Sequence, residues 1–294
     1  MDWNFGGLES HGCGEENAAF GIIPVPFERT TSYGKGTGAG PAGLVEASRY
    51  LELFDEVYAF EPARAGIWTA PPLDFSGETL EENIHLIYTK SAELLRTKKY
   101  LIFVGGEHSI TFPIVRAYTE RFPNLSVLQF DAHADLRYEY EGSIYSHASV
   151  MRRVVDLCKV VQVGIRSISI EEFEEIPRLP LTVVYAHEFF RDRAASIDKI
   201  LENLTENVYI TFDLDGFDPS VIPATGTPEP GGFLWQDAME LLEKVFAAKH
   251  VVGSDIVELS PVENLPASSF IAAKLVYKMI AMKQVFDKQS LGGK

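Results

Sequence analysis

Leu125-Ser126-Val127-Leu128-Gln129-Phe130-Asp131-Ala132-His133-Ala134-Asp135 joins an apolar run of strand length to three ligand-type side chains set two residues apart. Side chains alternate faces along extended chain, so Asp131, His133 and Asp135 are expected on one side. That is half a metal site at a strand end. Two other places have the same form. Tyr100 to Val104 leads to Gly105-Gly106-Glu107-His108, and Val208 to Phe212 leads to Asp213-Leu214-Asp215. Together they offer two histidines and four aspartates, which the reading expects to converge on a pair of divalent metals. Each motif alone has a plainer account. Asp-x-His-x-Asp can be a turn with a helix cap, or a lone Mg or Ca site. Asp-Leu-Asp can be two capping acids before Asp218-Pro219 or a metal–nucleotide motif. His108 can be structural, with Ser109 capping the next helix. Their joint occurrence at strand ends favours the dinuclear site.

Working outward, apolar runs at 100–104, 125–130, 159–163, 182–186, 208–212 and 250–257 alternate with helical patterns at 109–122, 147–157, 192–203, 235–248 and 265–284. Near-continuous apolar strands separated by helices predict an α/β fold with a mainly parallel sheet covered on both faces. In such sheets ligands bind beyond the carboxyl ends of the strands, where all these candidates lie. Upstream, residues 18–27 read as a first strand and Pro41 opens a helix to Phe54. An irregular stretch follows to Phe75, and Glu78 to Lys99 carries one apolar stripe at helical spacing, read as core packing. The glycines between Thr30 and Gly40 suggest a phosphate loop, but Gly34-Lys35-Gly36 lacks the required Lys-Ser/Thr ending, so a rim loop is expected. No repeat or linker divides the chain, so residues 1–294 read as one catalytic domain with a frayed end at 289–294.

Composition sets the class of partner. With 42 acids against 26 bases the formal charge is −16, which argues against nucleic acid or anionic membrane and favours cations. The N-terminal segment lacks the pattern of a secretory signal, and no apolar run approaches a membrane span, so a cytoplasmic protein is expected. Cys13 and Cys158 are too few for a disulfide framework and read as free thiols. Carboxylates and imidazoles without thiolate suit hard to borderline ions of higher coordination than tetrahedral zinc, with Mn first. Two such ions about 3.5–4 Å apart need bridging carboxylates and make a nucleophilic water available near neutral pH.

Gly105-Gly106-Glu107-His108-Ser109-Ile110, Phe130 to Asp135, Thr211 to Pro219 and Asp255-Ile256-Val257-Glu258 resemble the four signatures of the ureohydrolases, the arginase and agmatinase family. The resemblance runs in order from about residue 18 to 280. It implies an arginase-type three-layer α/β/α sandwich, two Mn ions, and hydrolysis of a guanidino group to urea and an amine. It also implies that Asp131 and Asp213 bridge both metals, with His108 and Asp135 on one and His133 and Asp215 on the other. His147, in Tyr145-Ser146-His147-Ala148-Ser149, matches the family's site-mouth histidine, an imidazole suited to shuttling protons. Its plainer account is a helix-start histidine. Glu258 matches the glutamate that pairs with the guanidinium, since a carboxylate fits that fork; otherwise it is a solvated strand-end acid. Glu107 stands where the family pattern usually has Asp, and little consequence is expected because the position is not a ligand. His11, His85, His187 and His250 lie outside these motifs and receive no role. Trimers or hexamers are implied by the resemblance alone.

The substrate reading starts from the loop after the central motif. Glu139 and Glu141 are expected to repel a carboxylate and attract a distal ammonium, against which Arg137 stands, and solvated loop charges are the plainer account. Gly226 to Gly232 resembles the agmatinase version of its loop. Agmatine, giving putrescine and urea in polyamine biosynthesis, is therefore expected first. N1-aminopropylagmatine, giving spermidine, comes second, and guanidinobutyrate, guanidine and arginine remain open. A zinc amide hydrolase of the deacetylase type would need only one metal, and a silent scaffold would have lost ligands.

Overall fold

The computed structural model describes residues 3–8, 14–75, 77 and 79–292, with side chains described through Asp287. His11, Cys13 and residues 293–294 lie outside this described set, and residues 289–292 of the end expected to fray continue the last helix. Among the described residues eight strands form one sheet: β1 (Phe20–Val25), β2 (Ile67–Thr69), β3 (Tyr100–Gly105), β4 (Leu125–Phe130), β5 (Lys159–Ile165), β6 (Leu181–Tyr185), β7 (Asn207–Asp213) and β8 (His250–Val257). Their order is β2-β1-β3-β8-β7-β4-β5-β6, and every pairing is parallel.

The helices are α1 (Gly40–Ser48), α2 (Leu80–Leu94), α3 (Thr111–Arg121), α4 (Val150–Val154), α5 (Ile170–Glu175), α6 (Ala186–Arg191), α7 (Arg193–Asn203), α8 (Trp235–Ala248) and α9 (Ala267–Gly292). They cover both faces. On one face Ile102, Val104, Leu128, Phe130, Ile210 and Phe212 pack with Leu44 of α1, Ile200 of α7, Leu241 of α8 and Val276 of α9. On the other, Leu101, Phe103, Val127 and Tyr209 meet Ile87 of α2, Ile114 and Tyr118 of α3, and Met151 of α4. Alternate residues of one strand thus enter opposite cores, which is why the strands read as continuous apolar runs rather than alternating ones. The architecture is the expected α/β/α sandwich.

Several boundaries differ. The helix read to Phe54 stops at Ser48, and the one read at 147–157 is a 3-10 turn at His147–Ser149 followed by the five residues of α4. The stretch taken as irregular contains the short edge strand β2. Helices α5 and α6 fall in segments where no apolar stripe announces them; α5 is instead fixed by a capping box between Ser169 and Glu172.

Candidate metal centre

Sheet order explains why residues far apart in sequence meet. Strands β3, β8, β7 and β4 are immediate neighbours, and all four carboxyl ends open on one side. His108 follows β3, Asp131 to Asp135 leave β4, Asp213 ends β7 with Asp215 just after it, and Glu258 follows β8. His108 Nδ1 lies 3.2 Å from Asp131, 3.0 Å from Asp135 and 3.4 Å from Asp213. His133 Nδ1 lies 2.9 Å from Asp215 and 3.7 Å from Asp131. Two sets of ligand atoms, His108/Asp131/Asp213 and Asp131/His133/Asp215, each fall within 4.8 Å of one another, and Asp131 belongs to both.

The local backbone is tighter than the extended chain expected of residues 131–135. Asp131 Oδ1 accepts the His133 N–H at 2.6 Å, and Asp213 Oδ1 accepts the Asp215 N–H at 2.9 Å. Both motifs are therefore turns closed by their own first aspartate, the conformation Asx side chains favour. Asp135 and Glu258 have φ of 52° and 65°, in the left-handed region that costs a non-glycine residue about 1–3 kcal/mol. Such strain clusters where a side chain must be aimed.

The electrostatics call for cations. Burial and the Asp215 and Asp131 charges hold the Asp213 carboxyl well above the usual range. Burial and the Asp131 charge likewise raise Asp135. Asp131, equally buried, is lowered by hydrogen bonds and charge from His108 and His133. Burial works against a charge on His133, yet Asp215 and Asp131 push it up to about 12, and His108 is raised by Asp131 and Asp135 in the same way. Without metal the cluster thus holds protons in order to carry its negative charge out of water. The donor set of carboxylates and imidazoles, with His108 Nδ1 buried and lacking a hydrogen-bond partner, fits a pair of divalent ions.

Supporting residues fix these ligands. Thr211 Oγ1 donates to Asp255 at 2.6 Å and lies 2.9 Å from His108 Nε2. A hydroxyl has one hydrogen, so the Thr211 oxygen accepts from His108 Nε2–H and Nδ1 keeps its lone pair for a cation. Asp255 is fully buried and also takes hydroxyls from Thr111 and Tyr209. Gln129 donates to Asp131 at 2.6 Å and is itself held by Gln162. Arg166 reaches the backbone carbonyls of Gly164, Asp215, Gly216, Phe217, Glu229 and Pro230. Sequence reading assigned none of these roles. Thr211 and Asp255 had a signal there, each as the first residue of a quoted motif.

The cluster floors a cavity of about 260 Å³ that also takes in Glu258, His147, Arg137 and Tyr140. Burial and the charges of Glu107 and Asp215 hold Glu258 well above the usual carboxylate range, with His108 pulling the other way. Its Oε1 accepts the His108 N–H at 2.6 Å. His147 is not part of the ligand cluster; it forms a wall, with Thr30 and Ser32 as its hydrogen-bond partners. Glu139 and Glu141 do not line the cavity, contrary to the substrate reading. The paired bonds between Tyr140 and Ser143 turn them to solvent, and Arg137 stands in the wall instead, over the Tyr140 ring at 5.4 Å. Glu28 closes the glycine-rich loop from inside, accepting the N–H groups of Gly36 at 2.7 Å and Gly38 at 2.9 Å. Those amides are already engaged by an anion of the chain itself, which agrees with a rim loop.

The arginase family model matches residues 18–282. An N(1)-aminopropylagmatine ureohydrolase of Thermus thermophilus is 39% identical over 269 residues, covering 91% of each chain. An agmatinase of Pyrococcus horikoshii is 34% identical and covers 91% of this chain and 93% of its own. The crystal structure of agmatine ureohydrolase of Thermoplasma volcanium superposes with a TM-score of 0.84 at 33% identity, over 94% of this chain and 93% of that one. With its family signatures on four adjacent strands and a match spanning nearly all of its sheet, the chain belongs to the arginase family.

Proposed function

We propose that this hydrolase splits the guanidino group of a polyamine-type substrate into urea and an amine, with N1-aminopropylagmatine preferred and agmatine second. One observation carries the reading: two histidines and four aspartates gather around Glu258 at the ends of four adjacent strands. The sequence reading ranked agmatine first. One finding supports the reverse order: the aminopropylagmatine relative is nearer in identity than the agmatinase.

In this reading Asp131, Asp213, His108 and Asp135 would hold one Mn ion, and Asp131, Asp213, His133 and Asp215 would hold the other. When bound, the ions supply a nucleophilic water at neutral pH. Glu258 Oε2, the oxygen not engaged by the His108 N–H, receives the guanidinium. A cation entering beside Glu258 relieves the burial penalty on its charge, so binding and ionisation reinforce each other. His147 carries protons between the cavity and solvent. Thr31, Ser32, Ser167 and Ser169 offer hydroxyls along the outer wall for amine groups. Cytoplasmic residence, one catalytic domain and assembly as trimers or hexamers belong to the same proposal and rest on the sequence reading.

Arg137 in the wall favours a second reading, in which the distal group is a carboxylate, as in guanidinobutyrate. Urea release with added Mn from aminopropylagmatine, agmatine, guanidinobutyrate, arginine and guanidine separates the two. The highest kcat/KM is expected for aminopropylagmatine, and no urea from any of the five would overturn the proposal.

A further inference from the structure

Glu107 is fully buried, and every hydrogen-bond partner of its carboxylate is a donor. Its Oε2 accepts the backbone N–H groups of Arg29 and Thr30, both at 2.6 Å. Its Oε1 accepts the hydroxyls of Thr30 at 2.7 Å and Ser109 at 2.5 Å. The strap after β1 is drawn down here: Gly106 N–H bonds Val25 O and Glu107 N–H bonds Phe27 O. The approach is so close that a Cβ on Gly106 would sit 1.8 Å from Phe27 O. Thr30 is thereby set against His147. Its oxygen accepts the His147 backbone N–H at 3.0 Å and lies 3.4 Å from the ring Nδ1. Ser32 Oγ lies 3.4 Å from Nε2, and the Tyr140 ring meets the imidazole edge-on at 5.7 Å.

Hydrogen counting decides the ring. Thr30 has one hydroxyl hydrogen, and it points to Glu107. At His147 the Thr30 oxygen can therefore only accept, so the hydrogen between them belongs to Nδ1. We propose that Glu107 and Thr30 are positioning residues that fix the tautomer of His147, placing the hydrogen on Nδ1 and leaving Nε2 as the proton-accepting nitrogen. This rests on the reading of His147 as the proton carrier. A proton taken up at Nε2 gives imidazolium; its transfer from Nε2 to the departing amine or to solvent restores the Nδ1–H ring. Nothing is oxidised, and both transfers use the nitrogen away from Thr30, beside which the Ser32 hydroxyl can donate or accept. The arrangement repeats, with the ring reversed, the Asp255–Thr211 pair that leaves Nδ1 of His108 free.

The test is ring 15N NMR of the full-length enzyme labelled at histidine and loaded with diamagnetic Zn in place of paramagnetic Mn, with His147→Asn identifying the signal and kcat read on the Mn-loaded enzyme. The neutral wild-type ring is expected to show Nδ1–H and bare Nε2. Thr30→Val removes the acceptor, so the ring should gain Nε2–H character. Its kcat should fall about tenfold, a fraction of what a positioned acid or base supplies, with KM within twofold. Thr30→Ser should restore both ring and kcat. In Glu107→Gln the two backbone amides, which can only donate, hold the side-chain oxygen. The NH₂ then faces Thr30, turns its hydrogen toward Nδ1, and moves the ring the same way as Thr30→Val. A wild-type Nε2–H ring would overturn the proposal, as would folded, metal-loaded Thr30→Val with unchanged ring and kcat. A wild type with the Nδ1–H ring that releases no urea from any guanidino compound would sink the parent reading and uphold the tautomer assignment.

Discussion

Arg166→Ala gives the most direct check on how the centre is held. The guanidinium has five N–H hydrogens for six carbonyl oxygens, so one hydrogen is shared. The bonds to Asp215 O and Glu229 O are the short ones, both 2.7 Å, and the other four span 3.1–3.4 Å. At about 1.5 kcal/mol for each short charge-assisted bond, with water replacing much of the remainder, the loss is about 3 kcal/mol. Arg166→Lys has three donors in place of five and should lose about half as much. The effect on the site follows the same bonds. Asp215 is held at its backbone by Arg166, so removal should weaken the His133 and Asp215 set more than the His108 set. Urea denaturation of chelated protein and metal analysis of loaded protein measure the two effects. An Arg166→Ala protein within 1 kcal/mol of wild type, with full metal content, would refute the clamp.

Other outcomes follow from the same geometry. Asp135→Asn suits the left-handed backbone at that position, so it should fold normally yet bind about one metal instead of two and lose at least about 100-fold in kcat. Glu258→Gln should raise KM for guanidino substrates about 10–100-fold while metal content stays unchanged; an unaltered KM would remove its assigned role. Chelated protein should become less stable as pH rises. His133, raised to about 12 from 6.5, contributes fully below pH 6.5 and progressively less above it. The raised carboxyls of Asp213 and Glu258 act in the same direction from the ordinary carboxylate range upward. Asp131, lowered, acts oppositely and only in acid. Thermal denaturation at pH 6 and pH 9 checks the sign, and added Mn should reverse it, because ligands must shed protons to bind metal.

The sequence pointed to the residues that the fold gathers because each follows the end of a buried strand, and a charged side chain directly after a run such as Leu125–Phe130 has few other uses. Strands β4 and β8 match their expected bounds for the same reason: both are flanked by polar residues and buried on both faces. Strand β2 has only three residues, of which Ile67 alone is buried, so it carried no pattern to read. The positive φ of Asp135 and Glu258 left no mark, since neither is glycine. Glu107 was dismissed because the question asked of it was whether it binds metal. Its backbone partners lie 77 and 78 residues upstream, where no local spacing points to them. Glu139 and Glu141 misled for the converse reason: neighbours in sequence to a ligand segment, they are turned away by a bend that charge pattern does not encode.

The position of β8 between β3 and β7 has a consequence for vectorial synthesis. A ribosome releases β3 and β7 before the strand that joins them, and the set that includes His108 cannot close until β8 has left the exit tunnel. Until then both strands present unpaired edges to other nascent chains. A stop codon shortly before β8 would therefore yield a sticky, ion-deficient polypeptide rather than a weakened enzyme, and chaperone demand should peak late in translation.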